Sequence, residues 1–155
     1  MKVSKRRGRV RLALHPAEAQ LLAGLLDDLT QALAELPADD PVRRRLYPDG
    51  HRDDPQLAAS FRALTETSLH EERLGRLEQC RAEVAGDTAR LELDPDDVRR
   101  WLQVSNDLRL AIGTRLGITD ERQEFDPSAD PQTVRVWTIY QWLSVLQDSL
   151  VDAVM

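Results

Sequence analysis

Two hydrophobic periods alternate along the chain, and their order predicts strand–helix units rather than a uniform helical repeat. Arg9 to Leu14 reads Arg-Val-Arg-Leu-Ala-Leu, which puts Val10, Leu12 and Leu14 on one face of a short strand. A helix is expected to follow at once. In His15-Pro16-Ala17-Glu18 the proline sits in a first turn whose N–H groups lack intrahelical partners anyway, and the glutamate faces the positive helix end. Leu22, Leu25, Leu26, Leu29, Leu33 and Leu36 then recur at three-to-four spacing until Pro37 stops the run.

Prolines 37, 41, 48 and 55 mark a long connection with one short helical turn around Val42–Leu46, and connections of that length often carry function. A second, longer helix is predicted from Pro55 to about Val84, ending at Gly86. Its apolar face is not constant. Leu57, Ala58, Phe61, Leu64, Thr65, Ser68 and Leu69 share one side, whereas Leu74, Leu77, Cys80 and Val84 fall on a face rotated by more than a quarter turn. Either the helix bends near Gly75 or its second half packs against something other than the first half's core.

Ala89 to Leu93 alternates again, and Asp94-Pro95-Asp96-Asp97 opens a third helix with a capping aspartate. Here the chain repeats itself. Arg11-Leu12-Ala13-Leu14-His15-Pro16 and Arg90-Leu91-Glu92-Leu93-Asp94-Pro95 match at a shift of 79 residues, and the same shift pairs Asp28-Leu29 with Asp107-Leu108. Two such units suggest that the two strands pair, since an isolated strand leaves its backbone groups unsatisfied. The third helix carries Val98, Trp101, Leu102, Ser105, Leu108, Ile112 and Leu116 on its core side and ends at Gly117. The last runs from Gln132 to about Ala153 with a broad stripe of Val136, Ile139, Tyr140, Leu143, Leu146, Leu150 and Val154. The predicted fold is mainly α: a bundle of four main helices with a short two-stranded β ribbon, built as two strand–turn–helix repeats. Residues 1–8 are expected to be a flexible basic arm, and residues 9–155 a single helical domain.

Some apolar positions are left over. Trp142 and Val145 lie outside the stripe of the last helix, Leu110 lies opposite the core side of the third, and Leu74 and Leu77 occupy the rotated face of the long one. Apolar residues on a second face imply a second contact, so these five are read as an interaction surface. A homodimer is expected through the second half of the long helix and the back of the last.

Composition narrows the class. With 155 residues, 41% hydrophobic and 31% charged, the chain is ordinary for one globular domain. No apolar run approaches the ~20 residues that cross a bilayer, and Met1-Lys2-Val3-Ser4-Lys5-Arg6-Arg7 has no apolar segment of signal-peptide type, so neither membrane insertion nor secretion is expected. The single cysteine, Cys80, excludes an intramolecular disulfide and fits a reducing cytoplasm. Charge is unevenly spread. The first eleven residues hold six basic side chains and no acid, so a net charge of −6 conceals 15 basic against 27 acidic residues, or −12, over residues 12–155. Nucleic-acid contact, if any, is therefore assigned to Lys2, Lys5, Arg6, Arg7 and Arg9, or to Arg43-Arg44-Arg45.

Catalytic chemistry finds little support. Glu66 and His70 are one turn apart, but a carboxylate-bundle metal site wants Glu-x-x-His, and His70-Glu71 is followed by Leu74 where a second histidine would be needed. No glycine-rich phosphate loop, nucleophile elbow or dinucleotide fingerprint occurs. No metal, cofactor or enzymatic activity is expected. Cys80 reads as a small hydrophobe, with redox sensitivity as the alternative if Arg76 or Arg81 lowers its pKa. Arg109 and Arg115 fall within or beside a core stripe. A buried guanidinium must find a carboxylate or carbonyls, so they make either an internal ion pair with a neighbouring helix or a ligand or partner contact.

Several segments carry a resemblance. Leu46-Tyr47-Pro48 with Asp53-Asp54-Pro55, Phe61-Arg62-Ala63-Leu64-Thr65, Trp101-Leu102, Asn106-Asp107-Leu108-Arg109-Leu110-Ala111-Ile112-Gly113-Thr114-Arg115-Leu116-Gly117, and Tyr140-Gln141-Trp142-Leu143 with Leu146-Gln147-Asp148-Ser149-Leu150 together resemble the actinobacterial oxidative-stress regulator AosR family. This is a helical family of unknown function commonly encoded beside the ClpS protease adaptor. The resemblance spans most of the chain, and marks Asn106, Asp107, Arg109, Arg115, Phe61 and Arg62 as a structural or partner-contact motif. It implies a cytoplasmic, non-enzymatic regulator or adaptor that acts in oxidative-stress transcription control by engaging a sigma factor after thiol oxidation. With one thiol, redox control here requires an intermolecular Cys80–Cys80 bond or a mixed disulfide. Two alternatives remain: a DNA-binding regulator using the basic arm, and a small-ligand or enzymatic protein around Arg109 and Arg115.

Overall fold

The computed structural model describes residues 1–47, 54–85, 89–118 and 126–155, excluding the side chains of residues 58, 59 and 61–67. Strands β1 (Lys2–Arg6), β2 (Arg9–Ala13) and β3 (Arg90–Leu93) form an antiparallel sheet in the order β1-β2-β3. The helices among the described residues are α1 (Pro16–Glu35), α2 (Pro41–Leu46), α3 (Pro55–Glu83), α4 (Pro95–Arg115) and α5 (Pro131–Val154). The fold is mainly α, with the helices meeting the sheet at one end.

The sheet has three strands rather than the expected two, because part of the expected flexible arm is β1. Arg7 (φ 53°) and Gly8 (φ 78°) both have positive φ, which suits a tight two-residue hairpin whose twist matches the strands it joins. Val3 then joins Leu12 and Leu91 in one row of the inner face. With Val3 as its one apolar residue, β1 has too little alternation to announce itself.

The repeat is a structural fact. The sheet register pairs Leu12 with Leu91, Arg11 with Glu92 and Ala13 with Arg90, so a local two-fold axis between Leu12 and Leu91 exchanges β2 and β3, with each residue taking the place of the one 79 positions away. Both helices of the repeat start alike, with the carboxylate three residues on accepting from the N-cap backbone N–H: Glu18 from His15 in α1 and Asp97 from Asp94 in α4, where Asp94 also accepts from the Asp97 N–H. The buried positions also correspond at the same 79-residue shift: Ala19, Leu22, Leu26, Leu29 and Leu33 of α1 match Val98, Trp101, Ser105, Leu108 and Ile112 of α4.

Helix α3 resolves the question posed by its rotating apolar face. It runs unbroken through Gly75, and its second half supplies Leu77, Cys80 and Val84 to the core while Leu57 and Leu69 of the first half are 48% and 47% exposed. Leu77, expected on an interaction surface, is thus a core residue, because this half of α3 packs against α1 and α4. Helix α5 closes the bundle along α4, burying Leu143, Leu146 and Leu150. Close approach there depends on Gly113, where a Cβ would stand 3.3 Å from Cε2 of Tyr140. Among the described residues, no helix is long and apolar enough to cross a membrane.

Candidate functional site

The polar run of α4 does not act as one site; the fold turns Asp107 towards α2 and α3 and Arg109 towards α5. Asp107 is 5% exposed, and its Oδ2 accepts from Arg73 Nε of α3 at 3.0 Å. The same guanidinium donates through Nη1 to the Leu46 carbonyl at 3.0 Å and lies 4.7 Å from the ring centroid of Tyr47. Tyr47 in turn shares a 2.8 Å hydrogen bond with Nδ1 of His70. Burial pushes the Asp107 carboxyl above the ordinary aspartate value, and Arg73 only partly offsets this. This cluster joins α2, α3 and α4. Asn106 beside it is half-buried, and the side chains of Phe61 and Arg62 lie outside the described residues.

Arg109 points to α5 and, among the described residues, pairs there with neutral acceptors rather than with a carboxylate. It donates to Ser144 Oγ at 3.1 Å and to Gln147 Oε1, and it lies 5.5 Å from the Tyr140 ring centroid. Neutral acceptors suffice because Arg109 is only half-buried and keeps part of its hydration. Arg115 is exposed and lines a cleft of about 460 Å³ whose walls include Leu25, Ile112, Val136 and Ile139, with Asp130 and Thr133 at the helix α5 start. Arg109 does not line that cleft.

Cys80 is fully buried. Burial pushes its thiol up to about 12, nearby Glu83 adds to the rise, and the adjacent Arg100 guanidinium opposes it incompletely. This is the small-hydrophobe environment. The cation beside it comes from α4 rather than from Arg76 or Arg81, and Arg81 instead bonds Asp27 at 2.9 Å on the exterior. Arg100 pairs with Glu83 and with Asp97, while Trp101 Nε1 donates to Glu83 Oε2 at 3.0 Å. Glu83 thereby ties the end of α3 to the first turns of α4.

The remaining expected contact residues separate by exposure. Leu74 and Leu110 are half-buried against the core rather than stranded. Trp142 is half-buried as well, and its Nε1 donates to Glu18 Oε2 at 2.7 Å. Glu18 also accepts at Oε1 from the Met1 amino group and from the His15 backbone N–H, both at 2.9 Å. Partial burial acts to raise its pKa, but these donors outweigh it and hold the carboxyl at about 2. Val145 alone of the five is exposed, at 54%. Lys2, Lys5, Arg6, Arg7 and Arg9 are all exposed, on the β1–β2 hairpin rather than on a loose arm.

Sequence reasoning missed Arg73, Tyr47, Glu83 and the Glu18–Trp142 bond. A weak signal existed for the first: Arg73 sits at the point in α3 where the apolar face rotates, and Asp107 belongs to the matched polar run.

A family model described as Domain of unknown function (DUF2017) matches residues 1–154. The oxidative stress regulators AosR of Mycobacterium tuberculosis and Mycobacterium bovis are each 33% identical to this chain, covering 95% of it and 83% of their own length. The putative oxidative stress regulator AosR of Mycobacterium leprae is 33% identical over 76% of this chain and 59% of its own. No solved structure matches the chain. With the family model spanning both strand–turn–helix units and α5, the chain belongs to the DUF2017 family, together with these AosR relatives.

Proposed function

We propose that this protein is a non-enzymatic regulator of the oxidative-stress response, working in the cytoplasm by protein–protein contact with the transcription machinery. The observation that carries the reading is the 33% identity to oxidative stress regulators over 95% of the chain. The placement of polar groups supports it. Arg73, Asp107, Glu83, Arg100 and Arg109 are engaged in holding helices together, while Leu57, Leu69 and Val145 offer apolar surface outside the core. Self-association belongs to the same proposal, with Val145, Leu57 and Leu69 as its apolar contacts in place of Leu77.

The test is affinity capture of the full chain from its own host, with and without peroxide, probed for RNA polymerase subunits and sigma factors. Capture of a transcription protein that is lost in a Leu57→Glu, Leu69→Glu variant is the expected result. Absence of any transcription protein under both conditions, with unchanged peroxide-responsive transcripts in a deletion strain, overturns the reading. Light scattering at micromolar concentration decides the oligomeric state.

A further inference from the structure

Side chains alternate across a strand, so the register fixes which of them share the sheet face turned away from the core. Three rows cross that face: Lys2, Ala13 and Arg90; Ser4, Arg11 and Glu92; and Arg6 opposite Arg9 beside the turn. Five cations thus stand on it with one carboxylate, Glu92, which Arg11 holds at 3.0 Å. Among the described residues, Lys2, Arg6, Arg9 and Arg90 have no carboxylate partner. A shallow depression of about 390 Å³ lies between Lys2, Ser4, Arg11 and Arg90.

The hairpin carries two local costs, and the first of them is one that a bound anion would relieve. Like charges directly opposite each other destabilise a strand pair, and Arg6 faces Arg9. Arg7 holds φ at 53°, a left-handed conformation that glycine, asparagine or aspartate adopt more readily. The hairpin does not need arginine at either place to fold.

We propose that this face is a docking surface for an acidic, extended segment of a protein partner. It measures about 16 Å along the strands and about 10 Å across them, room for four or five extended residues, and arginine forks match carboxylates in two-pronged geometry. Other occupants fit less well. A nucleic-acid module covers about 600–1,000 Å² of protein surface, which would spread from this face onto a body carrying −12. A two-fold dimer through it would set basic face on basic face. Addition of a strand to the edge is opposed by Lys5, which sits on the inner side of edge strand β1 opposite Val10.

The proposal rests on the protein-contact reading, and its test separates the two. Fluorescence anisotropy is measured with a labelled twelve-residue peptide alternating glutamate and valine, and with a labelled twenty-base-pair duplex, at rising salt. The peptide is expected to bind saturably and to weaken with salt. An Arg6→Gln, Arg9→Gln, Arg90→Gln variant that melts no lower than wild type is expected to bind at least tenfold more weakly. No saturable peptide binding, or binding indifferent to the triple substitution, overturns the proposal, as does tighter binding of the duplex at equal salt. If the triple variant still captures transcription proteins from the host as wild type does, this face is excluded while the protein-contact reading stands.

Discussion

Arg73 Nε lies 3.0 Å from Asp107 Oδ2, and through that pair the long helix α3 is fastened to α4 and to the end of α2. Breaking a buried pair by removing one partner leaves the other charge uncompensated, which costs about 3–5 kcal/mol in well-buried cases. Asp107→Ala is therefore expected to lower stability by about 3 kcal/mol in urea unfolding, and the double variant Arg73→Met, Asp107→Leu to recover most of that loss. A single-variant loss below 0.5 kcal/mol, within the usual range for an exposed pair, would show that the pair does not hold the three helices.

Glu18 and Trp142 give the acid limit of the fold. The Glu18 carboxyl is held at about 2 against an ordinary 4.5, so its donors stabilise the folded state fully above pH 4.5, and the contribution is lost as pH falls towards 2. Allowing for its partial exposure, the contribution at neutral pH is about 2 kcal/mol. Trp142→Phe removes one donor and is expected to cost about 1 kcal/mol. It also raises the Glu18 pKa, so the variant should begin to lose stability at higher pH than wild type. A pH series of thermal melts followed by circular dichroism checks both the size and the direction.

The thiol of Cys80 should be inert while the protein is folded. Raising its pKa from 9.0 to about 12 reduces the thiolate at pH 8 by a factor of about a thousand, before burial further limits access. Iodoacetamide labelling followed by mass spectrometry is expected to be slower than in denaturant by at least that factor. Labelling of the native protein at a free-cysteine rate would mean that α3 and α4 open readily.

Gly113 tests the packing of α4 on α5. Alanine favours a helix over glycine by about 1 kcal/mol, but its Cβ would press on Tyr140 at 3.3 Å, so Gly113→Ala is expected to be near neutral. Gly113→Val cannot be absorbed by a small ring shift and should cost about 1–3 kcal/mol. Chemical denaturation of the two variants distinguishes this contact from an ordinary helical glycine, at which both substitutions would stabilise.

The hairpin turn supplies a prediction of opposite sign. Arg7→Asn relieves a left-handed arginine and should stabilise the fold by about 0.5 kcal/mol, whereas Gly8→Ala at φ 78° should destabilise it by about 1 kcal/mol. Thermal melts check the contrast, and two shifts of the same sign would contradict the turn geometry.

What the sequence alone determined is what local chemistry controls. Proline, the capping residues and the three-to-four spacing of leucine set the boundaries of α1, α2, α3, α4 and α5 to within a residue or two, because each signal acts inside one turn of helix. The 79-residue repeat also predicted that β2 and β3 pair, since neither can satisfy its backbone alone. Tertiary structure decided the rest. Nothing local says which half of α3 is core, and the burial of Leu77 follows from where α1 and α4 lie. The partners Arg73 and Asp107 are 34 residues apart, and Glu18 and Trp142 are 124 apart. Polar side chains carry no periodic signature of their partner. Lys2, Arg6, Arg9 and Arg90 likewise become one charged face only when a three-stranded register brings β1 and β3 to either side of β2.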